Sequence, residues 1–236
     1  MKLIKNRPLF SVLFAVLLSA CSNMMPAQGP QHSFEQVHTF GATALAFSAD
    51  GKTLVSGGYQ GEIALWQTHP PEPVGNLAGH YDSVRAIEYL APDRLASGDD
   101  EGRIILWDMA GRKPLIEIKS SAVTSMGVTA EGIMTGHRDG WLRTWRLSDL
   151  KLAGEINLQS GILSLAVHGS TIAVSTHSGR VEFYNPQLEL LRQLQADGSA
   201  AHDLRFSPDG TALAAGSWFR MLLWDVKSGE RQSIST

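Results

Sequence analysis

An aromatic residue closes an apolar run about every forty residues along this chain. Trp66, Trp107, Trp145, Tyr184 and Trp224 are separated by 41, 38, 39 and 40 residues. Other columns keep the same register. Leu45, Ile87, Met126, Leu165 and Leu204 correspond, and two residues on so do Phe47, Tyr89, Val128, Val167 and Phe206. Leu54, Leu95, Ile133, Ile172 and Leu213 form a further apolar column. A period of this length means one supersecondary unit copied along the chain, stacked so that neighbouring units bury each other's apolar faces. Within a unit, short apolar runs alternate with turn residues, as in Ser48-Ala49-Asp50-Gly51 and Ser207-Pro208-Asp209-Gly210. In such turns Asp bonds its own backbone and Gly supplies a positive φ. The Trp-bearing runs are apolar on both faces: Ile104 and Leu106 point one way, Ile105 and Trp107 the other. Strands buried on both sides belong to sheets packed on both faces, so an all-β array of small sheets is expected.

Trp107-Asp108, Trp224-Asp225, the pair Gly79-His80 and the forty-residue period together resemble the WD-repeat β-propellers. The resemblance covers residues 34–236. It implies about five four-stranded blades around a central channel. In that family a His, a Ser or Thr, an Asp and the Trp can form a buried polar network within a blade. Carried over residue by residue, His80, Ser97 and Trp107 match in the second repeat, with Glu101 where Asp is usual. The third repeat keeps Thr135, Asp139 and Trp145 but has no Gly-His. His80 and Ser97 are therefore expected to be structural, as are Trp66, Trp107, Trp145, Tyr184 and Trp224. Five repeats are fewer than many family members carry. The strand-like segment from Phe34 to Phe40 is expected to close the ring as the outer strand of the last blade, with Arg231 to Ile234 competing for that edge. The rivals are an oligomer that completes a larger ring, and an open arc, which would leave apolar faces unpaired.

Residues 1–20 read as a targeting signal. Lys2, Lys5 and Arg7 precede an apolar run from Leu9 to Leu18 broken only by Ser11. That run falls short of the roughly 20 residues a spanning helix takes and fits a secretory signal. Leu18-Ser19-Ala20-Cys21 resembles the lipobox of bacterial lipoproteins, where the signal is cut before the cysteine and the cysteine is acylated. The resemblance implies lipidation of Cys21 and attachment of an exported protein to the cell membrane. Ser22, standing where Asp would retain the protein, implies the outer membrane, periplasmic side, of a Gram-negative cell. Residues 21–33 then form the lipidated cysteine and a flexible tether rich in Pro, Gly, Asn and Gln, and residues 34–236 the propeller.

The single cysteine allows no internal disulfide. The formal net charge is −3, and three of the positive charges lie in the signal. A mildly acidic body argues against nucleic acid as a partner, because phosphate binding needs a positive field. There is no Gly-rich phosphate loop followed by Lys, no Gly-x-Ser-x-Gly, no His-Glu-x-x-His and no Cys pair. The reading is accordingly of a protein that is not an enzyme and takes no cofactor or metal. His137 and His177 fall in equivalent turns, but Asp139 is the one carboxylate near them.

The resemblance places the turns between second and third strands on one face, beside the loops that lead into each blade. The candidate binding residues on that face are Tyr59, Tyr81, Asp82, Asp99, Asp100, Glu101, His137, Arg138, His177, Trp218, Phe219 and Arg220. These turns differ while the strands around them repeat, as expected of loops freed from packing. Trp218 and Phe219 stand out, since short turns rarely hold two large aromatics and aromatics and Arg are enriched at binding hot spots. Trp218 folded back on its own blade is the plainer alternative. The expected function is a scaffold holding unidentified envelope proteins together at a membrane, with a glycan- or small-ligand-binding propeller as the alternative.

Overall fold

The chain divides into two compact units, residues 1–35 and 36–236. The computed structural model describes residues 37–195, 200–218 and 220–232. The signal at 1–20, Cys21 and the tether at 21–33 lie outside the described residues, as does Phe219.

The second unit is a five-bladed β-propeller of antiparallel sheets. Blade 1 holds β1 (Ala42–Phe47), β2 (Thr53–Gly58), β3 (Ile63–Thr68) and β4 (Pro71–Leu77). Blade 2 holds β5 (Val84–Ala91), β6 (Arg94–Asp99), β7 (Arg103–Asp108) and β8 (Lys113–Lys119). Blade 3 holds β9 (Val123–Val128), β10 (Ile133–His137), β11 (Trp141–Trp145) and β12 (Leu152–Asn157). Blade 4 holds β13 (Ile162–His168), β14 (Thr171–Thr176), β15 (Arg180–Tyr184) and β16 (Leu190–Gln195). Blade 5 has three strands among the described residues, β17 (Asp203–Phe206), β18 (Ala212–Gly216) and β19 (Met221–Asp225). The first strand of each blade lines a common central cavity of about 440 Å³.

Packing between blades follows the two-sided pattern of the third strands. Ile105 and Trp107 join a core with Val55, Ile63 and Leu65 of blade 1. Ile104 and Leu106 join a separate core with Val123 and Met126 of blade 3. Two further cores join blades 3 and 4, around Leu142, Ile162 and Leu165, and blades 4 and 5, around Phe183, Leu204 and Leu213. Close approach at these junctions needs glycine on the second strand. A Cβ on Gly57, Gly98 or Gly136 would stand 2.7, 2.7 and 2.6 Å from Val84, Val123 and Ile162 of the next blade.

Of the expected closing strand, Phe34 to Phe40, residues 34–36 lie outside the described residues and residues 37–40 form no strand. His38 turns instead to blade 1, where its Nε2 bonds Ser56 Oγ at 2.8 Å. The free edge of β19 is met by the C-terminal side, through a bridge between Trp224 and Arg231 and a bond from Gln232 N–H to the Leu223 carbonyl. Inner strands pack in sequence from β1 through β5, β9 and β13 to β17, with no comparable packing of β17 on β1. Among the described residues the propeller is thus open at one junction. The reason is legible in burial: the other four junctions each have a core, and here the matching apolar residues remain uncovered, as set out below.

Candidate functional site

Blades 1, 2 and 3 are each braced from within by a Trp. In blade 2, Trp107 Nε1 donates to Ser97 Oγ (2.8 Å), which contacts His80 Nε2 (2.6 Å), and His80 Nδ1 contacts Asp99 Oδ2 (2.7 Å). These donors run in one direction: Ser97 gives its proton to Nε2, and Nδ1–H donates to the carboxylate. Asp99 Oδ1 also accepts the Arg103 backbone N–H at 2.8 Å. Burial alone would raise the Asp99 carboxyl, but the bonds from His80 and Arg103 outweigh it and hold it below the usual carboxylate range. His80, Ser97 and Trp107 are all buried. Asp99 is 1% exposed, so it belongs to this network and not to the binding face. It fills the acidic role expected of Glu101, which reaches outward to Lys119.

Blades 1 and 3 build the same brace from other residues. In blade 1, Trp66 Nε1 donates to Ser56 Oγ, which His38 contacts from the far side, with Glu62 3.9 Å from the ring. No Gly precedes His38; its position 42 residues before His80 was the available signal. In blade 3, Trp145 Nε1 donates to Thr135 Oγ1 (2.7 Å), and Thr135 bonds His137 Nε2 (2.8 Å). His137 Nδ1–H donates to the Ser121 carbonyl (2.8 Å). A histidine two residues after Thr135 thus supplies from the turn side what His80 supplies from the loop side. His137 is fully buried, which removes it from the binding face, while Asp139 is exposed. Desolvation lowers the His137 imidazole to about 4, with Arg143 adding to the effect against hydrogen bonding by Ser121 and the charge of Asp139. In blade 4, Tyr184 Oη–H donates to Glu182, which also pairs with Arg180. Trp224 is buried in the core between blades 4 and 5.

The turn face carries the other candidates. Backbone bonds hold the turns between second and third strands to the loops leading into each blade: Asp100 to Ser83, Arg138 to Ala122 and His177 to Gly161. One chain of contacts crosses three blades. The Arg85 guanidinium lies 5.6 Å from the centre of the Tyr59 ring and pairs with Asp100 at 2.6 Å, and Arg138 pairs with the same carboxylate. Tyr81 is 79% exposed, with Arg103 4.9 Å from its ring centre and Arg103 in turn paired with Glu117. Asp82 accepts the Ser83 N–H and shapes the loop. Trp218 is 77% exposed, and its ring stands at right angles to that of His202 of the same blade, with centres 5.1 Å apart. His177 and Arg220 are exposed. Arg85, Arg103 and Arg143, which stacks on Trp141, escaped the sequence reading because they sit on strands.

Behind this face the cavity is lined by polar side chains. Burial pushes the Glu88 carboxyl up to about 7, against the pull of Arg205. Among the described residues, no group of three or more His, Cys, Asp or Glu is placed to hold a metal.

A family model described as "WD domain, G-beta repeat" matches residues 29–67, 71–108 and 188–225. These three segments, just under half of the chain, match WD40 repeats. It is 26% identical over 203 residues to apoptotic protease-activating factor 1 of Homo sapiens, covering 79% of this chain and 16% of that protein. It is also 26% identical over 215 residues to protein ROOT INITIATION DEFECTIVE 3 of Arabidopsis thaliana, covering 78% of this chain and 48% of that protein. The chain thus spans less than half the length of these relatives. Its fold is similar to the crystal structure of the computationally designed Ika8 protein, with a TM-score of 0.70, 23% identity, and coverage of 81% of this chain and 60% of that one.

Proposed function

We propose that this WD-repeat propeller is a non-catalytic protein–protein interaction scaffold, exported and tethered to a membrane of the bacterial envelope through lipid on Cys21. The observation that carries the binding role is the turn face, where exposed Tyr59 and Tyr81 meet Arg85 and Arg103, Arg138 pairs with Asp100, and Trp218 stands exposed on blade 5. Rigid aromatics and guanidinium groups are the side chains that dominate protein interfaces. Ion pairs already fix several of these groups, so little side-chain entropy is lost on docking.

The test is capture of a stoichiometric protein partner from detergent-solubilised envelope by tagged protein. Replacing Trp218 with Ala is expected to weaken that capture about thirtyfold, the scale of a hot-spot loss of ~2 kcal/mol, while leaving thermal unfolding unchanged. Undiminished capture by the folded variant removes the turn face from the interface. Capture that fails for both proteins, with a saturable change in Trp218 fluorescence on adding glycan, replaces the scaffold by the glycan-binding reading.

The anchoring role rests on residues 1–22 alone, since the two relatives named are eukaryotic. Cells fed an alkyne-bearing palmitate are expected to label the wild-type protein. The Cys21→Ala variant is expected to lose the label and to move from the membrane pellet to the soluble fraction. Equal labelling of both refutes lipidation at Cys21.

A further inference from the structure

The junction between blades 5 and 1 carries both halves of an interface that the chain forms four times elsewhere. On the blade 1 side, Leu45 is 63% exposed, whereas its counterparts Ile87, Met126, Leu165 and Leu204 are at most 4% exposed. Phe47, next on the same side of β1, is also 63% exposed. On the blade 5 side, Met221 is 61% exposed, while Ile63, Ile104, Leu142 and Val181 at the same step before the aromatic are at most 1% exposed. Gly216 repeats the position of Gly57, Gly98 and Gly136, yet a Cβ built there meets nothing within 4 Å. Glycine stands here at the position of close approach, and among the described residues no strand approaches it. Contiguous exposed apolar surface of this kind marks an interaction site.

We propose that this wedge is a docking site for a β-sheet of the blade type, supplied by a partner chain, which completes the ring in trans. The four internal junctions define what that sheet must offer. Facing blade 5, its inner strand places a β-branched residue over Gly216, as Val84, Val123 and Ile162 do at their glycines. Facing blade 1, its third strand sets an aliphatic residue against Leu45, as Ile63, Ile104 and Leu142 do at their junctions. A second copy of this chain in the wedge is a different outcome, which the test separates by its dependence on concentration. The wedge is a surface distinct from the turn face, and the proposal stands whether or not that face binds protein.

The test uses the full chain with Cys21→Ser, so that a single introduced thiol reports at Leu45→Cys, Met221→Cys or, as an outer-strand control, Leu190→Cys. The probe is a tagged polypeptide of residues 69–158, which carries an outer strand and two blades, co-expressed with the full chain. Alkylation at Leu45→Cys and Met221→Cys is expected to slow about tenfold or more when the probe co-purifies, with Leu190→Cys unchanged. Wedge thiols as reactive with the probe as without it overturn the proposal. So does protection without the probe: if independent of concentration, the ring closes on itself, and if growing with concentration, a second copy fills the wedge. Should the probe fail to fold alone, the same segment is fused after Val226. Protection is then required in cis, and reactive wedge thiols in that fusion sink the proposal.

Discussion

Asp99→Ala is expected to destabilise the propeller by about 2–6 kcal/mol, because it leaves two buried donors without an acceptor at about 1–3 kcal/mol each. The substitution does not simply delete two hydrogen bonds. It leaves His80 Nδ1–H and the Arg103 backbone N–H facing a cavity with no acceptor, since both now end on the same carboxylate. Unsatisfied donors in a buried site cost the full desolvation penalty. The loss then passes along the chain, because His80 fixes Ser97 and Ser97 holds the Trp107 indole. Asp99→Asn keeps one acceptor and is expected to cost less. Asp139→Ala in the third repeat, where the carboxylate is exposed, is expected to stay within about 0.5 kcal/mol. Urea unfolding of the three variants at neutral pH makes the comparison. An Asp99→Ala loss no greater than that of Asp139→Ala would show that the network is incidental to stability.

That contrast also shows what the sequence could and could not convey. The repeat period, the alternating faces of the third strands and the number of blades were legible, because periodicity alone dictates which residues must be buried. The two cores on either side of Ile104-Ile105-Leu106-Trp107 fall where alternation puts them. The polar braces were less legible. Column alignment put the acid of blade 2 at Glu101, which lies in the exposed turn, whereas Asp99 at the end of β6 is the carboxylate that reaches His80. Spacing alone does not say whether the acid sits at the strand end or in the turn. The same ambiguity hid His137: in that column it looked like a turn residue, and only the absence of a Gly-His histidine in blade 3 hinted at a vacancy to fill. Ring closure was illegible for a different reason. Apolar columns say that Leu45 and Met221 want a neighbour, but not whether the chain itself provides one.

The rewired brace of blade 3 makes the propeller sensitive to acid. His137 is neutral in the folded protein because its Nε2 must accept the Thr135 hydroxyl proton while Thr135 Oγ1 accepts from Trp145. Protonation would set an N–H against an oxygen whose own proton then has nowhere to go, inside a site with no water-facing surface at the imidazole. The folded-state value is about 4, against about 6.5 for a free histidine. Above pH 6.5 both states are neutral and the group adds nothing to the pH dependence. Between about 6.5 and 4 the unfolded chain takes up a proton that the folded chain refuses, so stability falls as pH falls. The slope approaches 1.4 kcal/mol per pH unit, and the whole loss is about 3 kcal/mol. Below about 4 both states are protonated and this contribution levels off. The chain has seven other histidines, so the wild type is compared with His137→Gln, which keeps a side-chain donor for the Ser121 carbonyl but cannot ionise. The variant is expected to be less stable at pH 7.5 yet to lose about 3 kcal/mol less than wild type on going from pH 7.5 to pH 4, measured by urea unfolding at each pH. Parallel losses in the two proteins would mean that His137 takes up its proton as readily in the folded propeller as in the unfolded chain, and that the acid sensitivity lies in another group.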